Sequence, residues 1–553
     1  MIDGNLIRWY ESSFRENREL PALVDYFSKE QYSYFEMARQ IAKVHLVFDY
    51  CKIKKGDKIS LVGRNTPNWC ITYLATITYG AVIVPILQDF KPDDIHHIVN
   101  HSDSQLFFTG KAIWDNIDPD RLENVKAIFS IEDFGCLYEH RGHKIKSYAS
   151  DIEKHFRKKY PKGFTTDNIK YAQIENDDVV LINYTSGTSG FSKGVILTVN
   201  NLTGNVKFGH TIEAYYKGSK TLSFLPLAHA YGCAFDFLLP LTVGGGVTLL
   251  GKIPTPKVLV QALSEVRPNL ICCVPLILEK IYKKQLKPLL EKNLMRVAVN
   301  IPVVNNQIYG QMRKKLMDAF GGNFKAFIVG GAPLNGEVEQ FLRKIKFPFT
   351  VGYGMSECGP LISYTPADEF KLTSCGRAIE GHMNARIDSP DPENIAGEIC
   401  VWGEHVMKGY YKNEEATKAV LDEDGTLHTG DIGTMSADGT IYIRGRCKSM
   451  ILSASGQNIY PEEIEDKLNN MPYVLESIVV DRAGKLVALI YPDFEQIDAE
   501  SIPRDKIEEL LNQSRIAVNK TIAGYEQLAS VVVYPTEFER TPKRSIKRYL
   551  YNI

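Results

Sequence analysis

The sequence predicts an α/β protein: a large amino-terminal domain built on two sheets, a small β-rich subdomain, and a small α+β unit after Arg446. Three observations predict it. From about residue 57, short β-rich runs alternate with helical patterns, the signature of βαβ units and a parallel sheet covered by helices. The same alternation returns after a glycine-rich loop at residues 182–194. After residue 380 the texture changes to short β segments separated by Asp-Gly turns. At 553 residues, 44% of them hydrophobic, the chain is long enough for three or four compact units.

In chain order, "KISLVGR", "AVIVPIL" and "QLFFTG" read as strands of the first sheet, with "NWCITYLATITYG" and "PDDIHHIVNHS" as its helices. "DDVVLIN" leads into the glycine-rich loop and "GVILT" leads out, both as buried strands. "TLSFLPLAH", "GVTLLG", "LICCVP" and "KAFIVGG" supply a second sheet, with "PKVLVQALSEV" and "NGEVEQFLRKI" as helices. "GEICVWG", "GTLHTGDIG" and "ADGTIYIRGR" form the β subdomain. From "CKSMILSASGQNIYPEEIEDKL" onward come a helix, the strands of "ESIVVDRAGKLVALIYP", another helix and a basic tail. The domains are therefore expected at 1–446 and 447–553. Two apolar stretches, 71–87 and 234–250, approach the length of a membrane span. Gly80 and Pro85 interrupt the first, and Asp236, Pro240 and three successive glycines interrupt the second, so both are expected in a core.

The formal net charge of −1 gives no general attraction to nucleic acid or anionic lipid. Ten cysteines without any Cys-x-x-Cys spacing fit reduced, packed thiols rather than a disulfide framework or a zinc site. The amino terminus "MIDGNLIRWYESSFRENREL" is charged throughout and has no apolar core, so no secretory signal and a cytoplasmic location are expected. No basic amphipathic segment argues for a membrane surface, although peripheral contact is left open.

The chemistry begins in "INYTSGTSGFSKG", which holds three glycines, five aliphatic hydroxyls and one lysine in thirteen positions. Small residues let backbone N–H groups approach an anion, and hydroxyls and an ammonium add donors, so the loop reads as a phosphate cradle. It is not a Walker A loop, because Phe191 and Ser192 separate Gly190 from Lys193. Next, "FIVGGAPLNGEVEQF" places Gly330, Gly331 and Ala332 where a ligand can lie against backbone, or where a strand simply turns into a helix. In "FTVGYGMSECGP", Tyr353 between glycines presents a face for stacking, and Glu357 offers a hard oxygen for Mg²⁺. Asp431 and Arg446 are the polar pair that a ribose requires, with a turn residue and a surface ion pair as the bland readings. His97 and His101 share a helical face without a third ligand, so an amphipathic surface helix explains them better than a metal. His229, closing "LPLAH", stands where a ring borders a pocket or packs in a core.

The order "YTSGTSGFSKG", "LPLAHAYG", "VGGAPL", "GYGMSE", "GEICVWGEHVMKGYY", "HTGDIG", "YIRGRCKSMILSASGQNIYPEEIE" resembles the adenylate-forming superfamily across most of the chain. That superfamily comprises acyl-CoA synthetases, peptide-synthetase adenylation domains and luciferases, and the layout is most similar to fatty acyl-CoA synthetases. The resemblance implies two α/β sheets with a small β-barrel-like subdomain, followed by a mobile carboxy-terminal lid. It also implies ATP, Mg²⁺ and CoA as reactants and cofactors, and a carboxylic acid, of medium or long chain, activated as acyl-AMP and passed to CoA with release of AMP and pyrophosphate. Carried over by position, Thr185, Ser186, Gly187, Thr188, Ser189, Gly190 and Lys193 would hold the β- and γ-phosphates. Tyr353 would stack on adenine, Ser356 would touch the α-phosphate, Glu357 would ligate Mg²⁺, and Asp431 with Arg446 would bind the ribose. His229, Gly331 and Gly354 would line the acyl and CoA side, Ser455, Gly456 and Gln457 would border the pantetheine path, and Lys448 matches the hinge.

One position departs from the family's pattern. Its carboxy-terminal lysine follows threonine in "T-x-x-G-K", but "RTPKRSIKRYLY" puts Arg544 at the glycine and Ser545 at the lysine. Lys543 and Lys547 flank that position, and Lys547 is favoured as the charge-stabilising group, with a displaced loop using Lys543 as the alternative. A third reading is loss of efficient adenylation. Two rival functions accordingly stay open: an acyl-AMP ligase that loads a carrier protein's pantetheine, set against the lack of a following carrier domain before Ile553, and a non-catalytic nucleotide or acyl-adenylate binding protein.

Overall fold

The computed structural model describes residues 3–140, 144–185, 192–251, 254–290, 302–452, 457–541 and 545–551. Its largest sheet has eight strands in the spatial order Gly409–Tyr410, Lys193–Thr198, Val179–Thr185, Val82–Ile86, Lys58–Val62, Ser104–Thr109, Ala127–Ser130 and Cys136–Glu139. The run from Val179–Thr185 to Ala127–Ser130 is parallel, as βαβ crossovers require, and antiparallel strands close both edges. Helix Pro67–Tyr79 shows why the apolar stretch at 71–87 is core. Thr66 caps it by accepting from the Trp69 N–H, proline opens it, and every residue from Trp69 to Thr78 is buried before the chain turns into strand Val82–Ile86. No helix among the described residues is long and apolar enough to cross a membrane.

The second sheet arrives in two ladders rather than one. Lys220–Ser223, Gly246–Leu249, Pro21–Asp25 and Gln31–Ser33 form a four-stranded ladder, and Leu270–Cys273, Ala326–Val329 and Thr350–Val351 a parallel three-stranded one. Asn269 joins them. Its N–H donates to the Lys220 carbonyl at 2.9 Å, its side-chain oxygen accepts from the Lys220 N–H at 2.8 Å, and its carbonyl accepts from Lys325 at 2.8 Å. Gly246–Leu249, Leu270–Cys273 and Ala326–Val329 fall within the expected strands, whereas the strand expected over "TLSFLPLAH" ends at Ser223, and Asn269 spans the gap between the two ladders.

The β-rich part is a four-stranded antiparallel sheet in the order Met383–Asp388, Gly397–Gly403, Leu427–Met435, Ile441–Arg446, accompanied by a small three-stranded sheet that includes Tyr353–Gly354. Buried apolar residues from Leu6 to Ile441 join in one core. Beyond Ile459 the apolar residues gather in two further cores around the sheet Val474–Arg482, Lys485–Pro492, Leu528–Val533, covered by helices Pro461–Asn469 and Ile507–Asn519. Polar contacts join the two parts: Lys283 donates to the Asn469 carbonyl at 2.9 Å, and the Asn335 amide donates to Asp466 at 3.1 Å.

Candidate functional site

In parallel α/β sheets, ligands bind beyond the carboxyl ends of the strands, where loops diverge and backbone groups are left unpaired. Two candidate segments leave the parallel ladder at that edge, and a third reaches it from the neighbouring ladder. Gly330 follows Ala326–Val329 and donates to the Cys273 carbonyl at 3.0 Å, and Gly352 follows Thr350–Val351 and donates to the Val329 carbonyl at 2.9 Å. The "LPLAHAYG" segment reaches the same place. The Asn183 amide donates to the Ala228 carbonyl at 3.1 Å, and the Tyr231 hydroxyl donates to the Ile328 carbonyl at 3.0 Å. His229 is half-buried at the head of the short helix Ala230–Gly232, six residues past the end of strand Lys220–Ser223, so it does not close a strand as its place in "TLSFLPLAH" predicts.

Two positions at this edge require glycine. Gly331 has φ +89°, a left-handed conformation that side chains resist. At Gly354 a Cβ would stand 2.3 Å from the Pro360 carbonyl oxygen, so only glycine lets the Tyr353 segment turn against its neighbour.

Beyond them lies a buried polar chain. The Tyr353 hydroxyl donates to Asp431 Oδ2 at 2.7 Å, and Arg446 Nε donates to Asp431 Oδ1 at 2.8 Å. Asp431 and Arg446 face each other because they are register partners in adjacent strands, and Asp431 is further fixed by its own N–H donating to Thr429 Oγ1 at 3.1 Å. Burial pushes the Asp431 carboxyl above its ordinary value, Arg446 opposes that rise, and the Glu357 charge adds to it. Burial and then the adjacent Asp431 charge push the Tyr353 phenol well above its ordinary value. Arg446 is largely exposed while Asp431 is buried, so the pair offers its guanidinium to solvent and its carboxylate to the interior.

A second chain serves the glycine-rich hairpin. Thr185 and Lys193 are register partners at the open end of strands Val179–Thr185 and Lys193–Thr198, and Thr185 Oγ1 lies 3.5 Å from the Lys193 carbonyl. Ser186, Gly187, Thr188, Ser189 and Gly190 lie outside the described residues. Strand Gly409–Tyr410 pairs with the second hairpin strand, setting Tyr410 opposite Val195. The Tyr410 ring then lies beneath the Lys193 ammonium, 4.8 Å from Nζ to centroid, and its hydroxyl donates to Glu357 Oε1 at 2.9 Å. Ser356 and Glu357 share the single 3₁₀ turn Ser356–Cys358, which starts three residues past Tyr353 and brings the two chains to one place.

The structure does not bring Lys547 to this group. Its ammonium lies 3.4 Å from Glu539 Oε2 within the carboxy-terminal unit, and its N–H donates to the Glu539 carbonyl at 2.8 Å. The Ser545 carbonyl accepts from the Thr541 N–H at 2.8 Å, and Lys543 lies outside the described residues, as do Ser455 and Gly456. Gln457 is exposed just before strand Asn458–Ile459. Lys448 is exposed in the turn after Arg446, where the Ser449 and Met450 N–H groups both donate to the Arg446 carbonyl at 3.0 Å.

The histidines of "PDDIHHIVNHS" are engaged elsewhere. The His96 ring contacts the Pro92 and Asp118 carbonyls at 2.7 and 3.0 Å, while His101 pairs with the Tyr184 hydroxyl at 2.7 Å and stacks on His97. Among the described residues, the one group of three metal-capable side chains is Glu398, Cys400 and His428. His428 there bridges Glu398 and Asp422 at 3.0 Å each, and those two carboxylates raise its pKa in that order. Tyr410 is the residue that sequence reasoning missed. Its signal lay in "MKGYY", but nothing in the spacing says which tyrosine turns toward Glu357.

The fold sets a glycine-rich hairpin, a tyrosine and an aspartate–arginine pair on one α/β framework. The chain belongs to the AMP-binding enzyme family, which matches residues 10–411, and is an AMP-forming acyl-CoA synthetase by class. A peroxisomal long chain acyl-CoA synthetase 7 of Arabidopsis thaliana is 30% identical, over 90% of this chain and 76% of that protein. A long-chain-fatty-acid–CoA ligase of Gallus gallus is 29% identical over 78% of this chain, a match that spans only 59% of that protein's length. Among solved structures, ATP-bound MatB from Rhodopseudomonas palustris superposes with a TM-score of 0.76 at 21% identity, covering 99% of this chain and 98% of its own. The anthranilate CoA ligase AuaEII with anthranoyl-AMP gives 0.78 at 17% identity, covering 99% and 96%. At such identities the last two speak for the fold.

Proposed function

We propose that this protein is an ATP-dependent acid–thiol ligase that activates a fatty acid of medium or long chain as acyl-AMP and transfers the acyl group to CoA. The observation that carries the reading is the chain Tyr353–Asp431–Arg446 beside the glycine hairpin at a strand-end crevice. In the first half-reaction the carboxylate attacks the α-phosphorus of ATP and pyrophosphate leaves. In the second, the CoA thiol attacks the acyl carbon and AMP leaves, because AMP is a far better leaving group than oxide once its charge is neutralised.

In this reading Thr185, Lys193 and the hairpin residues 186–190 hold the β- and γ-phosphates, Ser356 contacts the α-phosphate, Tyr353 supports adenine, and Asp431 and Arg446 take the ribose. Glu357 fits a Mg²⁺ ion. Its carboxylate is a hard oxygen donor, Tyr410 holds Oε1, and among the described residues no hydrogen bond reaches Oε2. Bound there, the cation would neutralise phosphate charge. His229, Gly331 and Gly354 line the acyl and CoA side, with Ser455, Gly456 and Gln457 along the thiol's path. In this reading the unit 447–553 turns on Lys448 relative to 1–446 between half-reactions and carries Lys547, together with its partner Glu539 of the same unit, toward the phosphates. Lys543 is the alternative donor. A cytoplasmic location belongs to the same reading and is supported by ten free cysteines, nine of them buried.

The test is incubation of purified protein with ATP, Mg²⁺, CoA and a mixture of carboxylic acids, followed by mass spectrometry. Acyl-CoA with AMP and pyrophosphate is expected. Acyl-AMP accumulating without thioester would point to a carrier-protein acceptor, and the absence of both products over a broad acid set would overturn the reading in favour of binding alone.

A further inference from the structure

Glu357 and Lys193 act on the same phosphates in the reading above, yet no hydrogen bond or ion pair joins them directly. Tyr410 joins them. Its hydroxyl donates to Glu357 Oε1 at 2.9 Å, and its ring face lies beneath the Lys193 ammonium at 4.8 Å. The ring's negative face attracts the cation, and the phenol O–H orients the anion, so one side chain serves two opposite charges.

Tyr410 is itself locked. It is 8% exposed, its backbone pairs with Val195 in the edge ladder, and its N–H donates to Thr417 Oγ1 at 2.9 Å. The same segment grips Glu357 from the other end, where the Met407 N–H donates to the Glu357 carbonyl at 2.8 Å. Neighbouring Tyr411 points away, as strand alternation dictates, and donates to Asp103 at 2.8 Å. Two adjacent tyrosines thus form an internal contrast between a phosphate-side role and a framework role.

We propose that Tyr410 is a positioning residue for adenylate formation, holding the Glu357 carboxylate through Oε1, which leaves Oε2 for a divalent cation, and holding the Lys193 ammonium over its ring face. This rests on the ligase reading. A long side chain restrained in one rotamer binds without first ordering itself, which is why the effect reaches Mg·ATP affinity. Tyr410→Phe keeps the ring and removes only the hydroxyl, and Tyr410→Leu removes both contacts.

The experiment compares binding of ATP with Mg²⁺ and of ATP in excess chelator by titration calorimetry. It also measures pyrophosphate exchange and, separately, thioester formation from supplied acyl-AMP and CoA. Tyr410→Phe is expected to weaken Mg·ATP about tenfold, the scale of one charged hydrogen bond, while leaving metal-free ATP and acyl-AMP thiolysis unchanged. Tyr410→Leu is expected to weaken metal-free ATP as well, through Lys193, and Tyr411→Phe to match the unaltered protein in all assays. In a double-mutant cycle, adding Tyr410→Phe to Glu357→Gln should cause no further loss of Mg·ATP affinity. The proposal is overturned if Tyr410→Phe binds Mg·ATP normally, if thiolysis falls in parallel with exchange, or if the two substitutions add in full. Failure of the unaltered protein to bind ATP would sink both this proposal and the ligase reading, whereas normal ATP binding with an inert Tyr410→Phe sinks this one alone.

Discussion

Replacing Tyr353 by phenylalanine removes one atom and leaves one buried acceptor without its donor. The hydroxyl stands 2.7 Å from Asp431 Oδ2, and the two residues are 7% and 4% exposed, so water does not readily take its place. Stranding a buried carboxylate oxygen costs about 1–3 kcal/mol. Arg446 still holds Oδ1, which keeps the cost within that range rather than beyond it. In the proposed function Asp431 takes the ribose hydroxyls, so bound nucleotide would restore a donor. The expectation is therefore asymmetric: without ATP the variant unfolds earlier by the full amount, and with saturating ATP the difference shrinks to less than about half of it. Urea unfolding of both proteins, with and without ATP, measures this. Equal destabilisation in both conditions, or none in either, would refute the link between Tyr353, Asp431 and the nucleotide.

Three other perturbations follow from named contacts. Gly354→Ala places a Cβ 2.3 Å from the Pro360 oxygen, which forces the backbone to shift by about 1 Å; a loss of about 1–3 kcal/mol in thermal unfolding and about a hundredfold in pyrophosphate exchange is expected. Lys547→Ala should lower pyrophosphate exchange at least about a hundredfold and leave acyl-AMP thiolysis intact, with Lys543→Ala milder; exchange retained in both variants would overturn the assignment. His405 is buried, contacts the Leu361 carbonyl at 2.7 Å, and burial lowers its pKa from 6.5 to about 4. The unfolded histidine takes up a proton below pH 6.5 and the folded one does not until about pH 4. Its contribution is thus complete above 6.5 and declines by about 1.4 kcal/mol per pH unit as pH falls toward 4, about 3 kcal/mol in all. His45, which burial also lowers to about 4, adds to the slope, so stability to urea between pH 7 and 4.5 should fall more steeply in the unaltered protein than in His405→Asn by about 1.4 kcal/mol per pH unit.

The glycine hairpin, the strand ends at Gly330 and Gly352, and the pairing of Asp431 with Arg446 could all be read from local composition, because each depends on residues near one another in sequence or in adjacent strands of a meander. The second sheet's division at Asn269 could not, since it turns on one residue whose side-chain oxygen and backbone groups bond Lys220 on one side and Lys325 on the other. For the histidines of residues 96–101 the sequence favours an amphipathic helix over a metal pair, but it does not say that His101 pairs with the Tyr184 hydroxyl, 83 positions away.

What the sequence by itself determined was the kind and order of the elements, since hydrophobic periodicity reports which face of each segment is buried, and glycine and proline report where the chain must turn. Only the tertiary structure decided that Tyr353 meets Asp431 across 78 positions, that Tyr410 meets Glu357 across 53, and that Lys547 pairs with Glu539. Those meetings arise from burying several sheet and helix faces at once, and no local spacing carries a record of which distant loops that packing brings to a common edge.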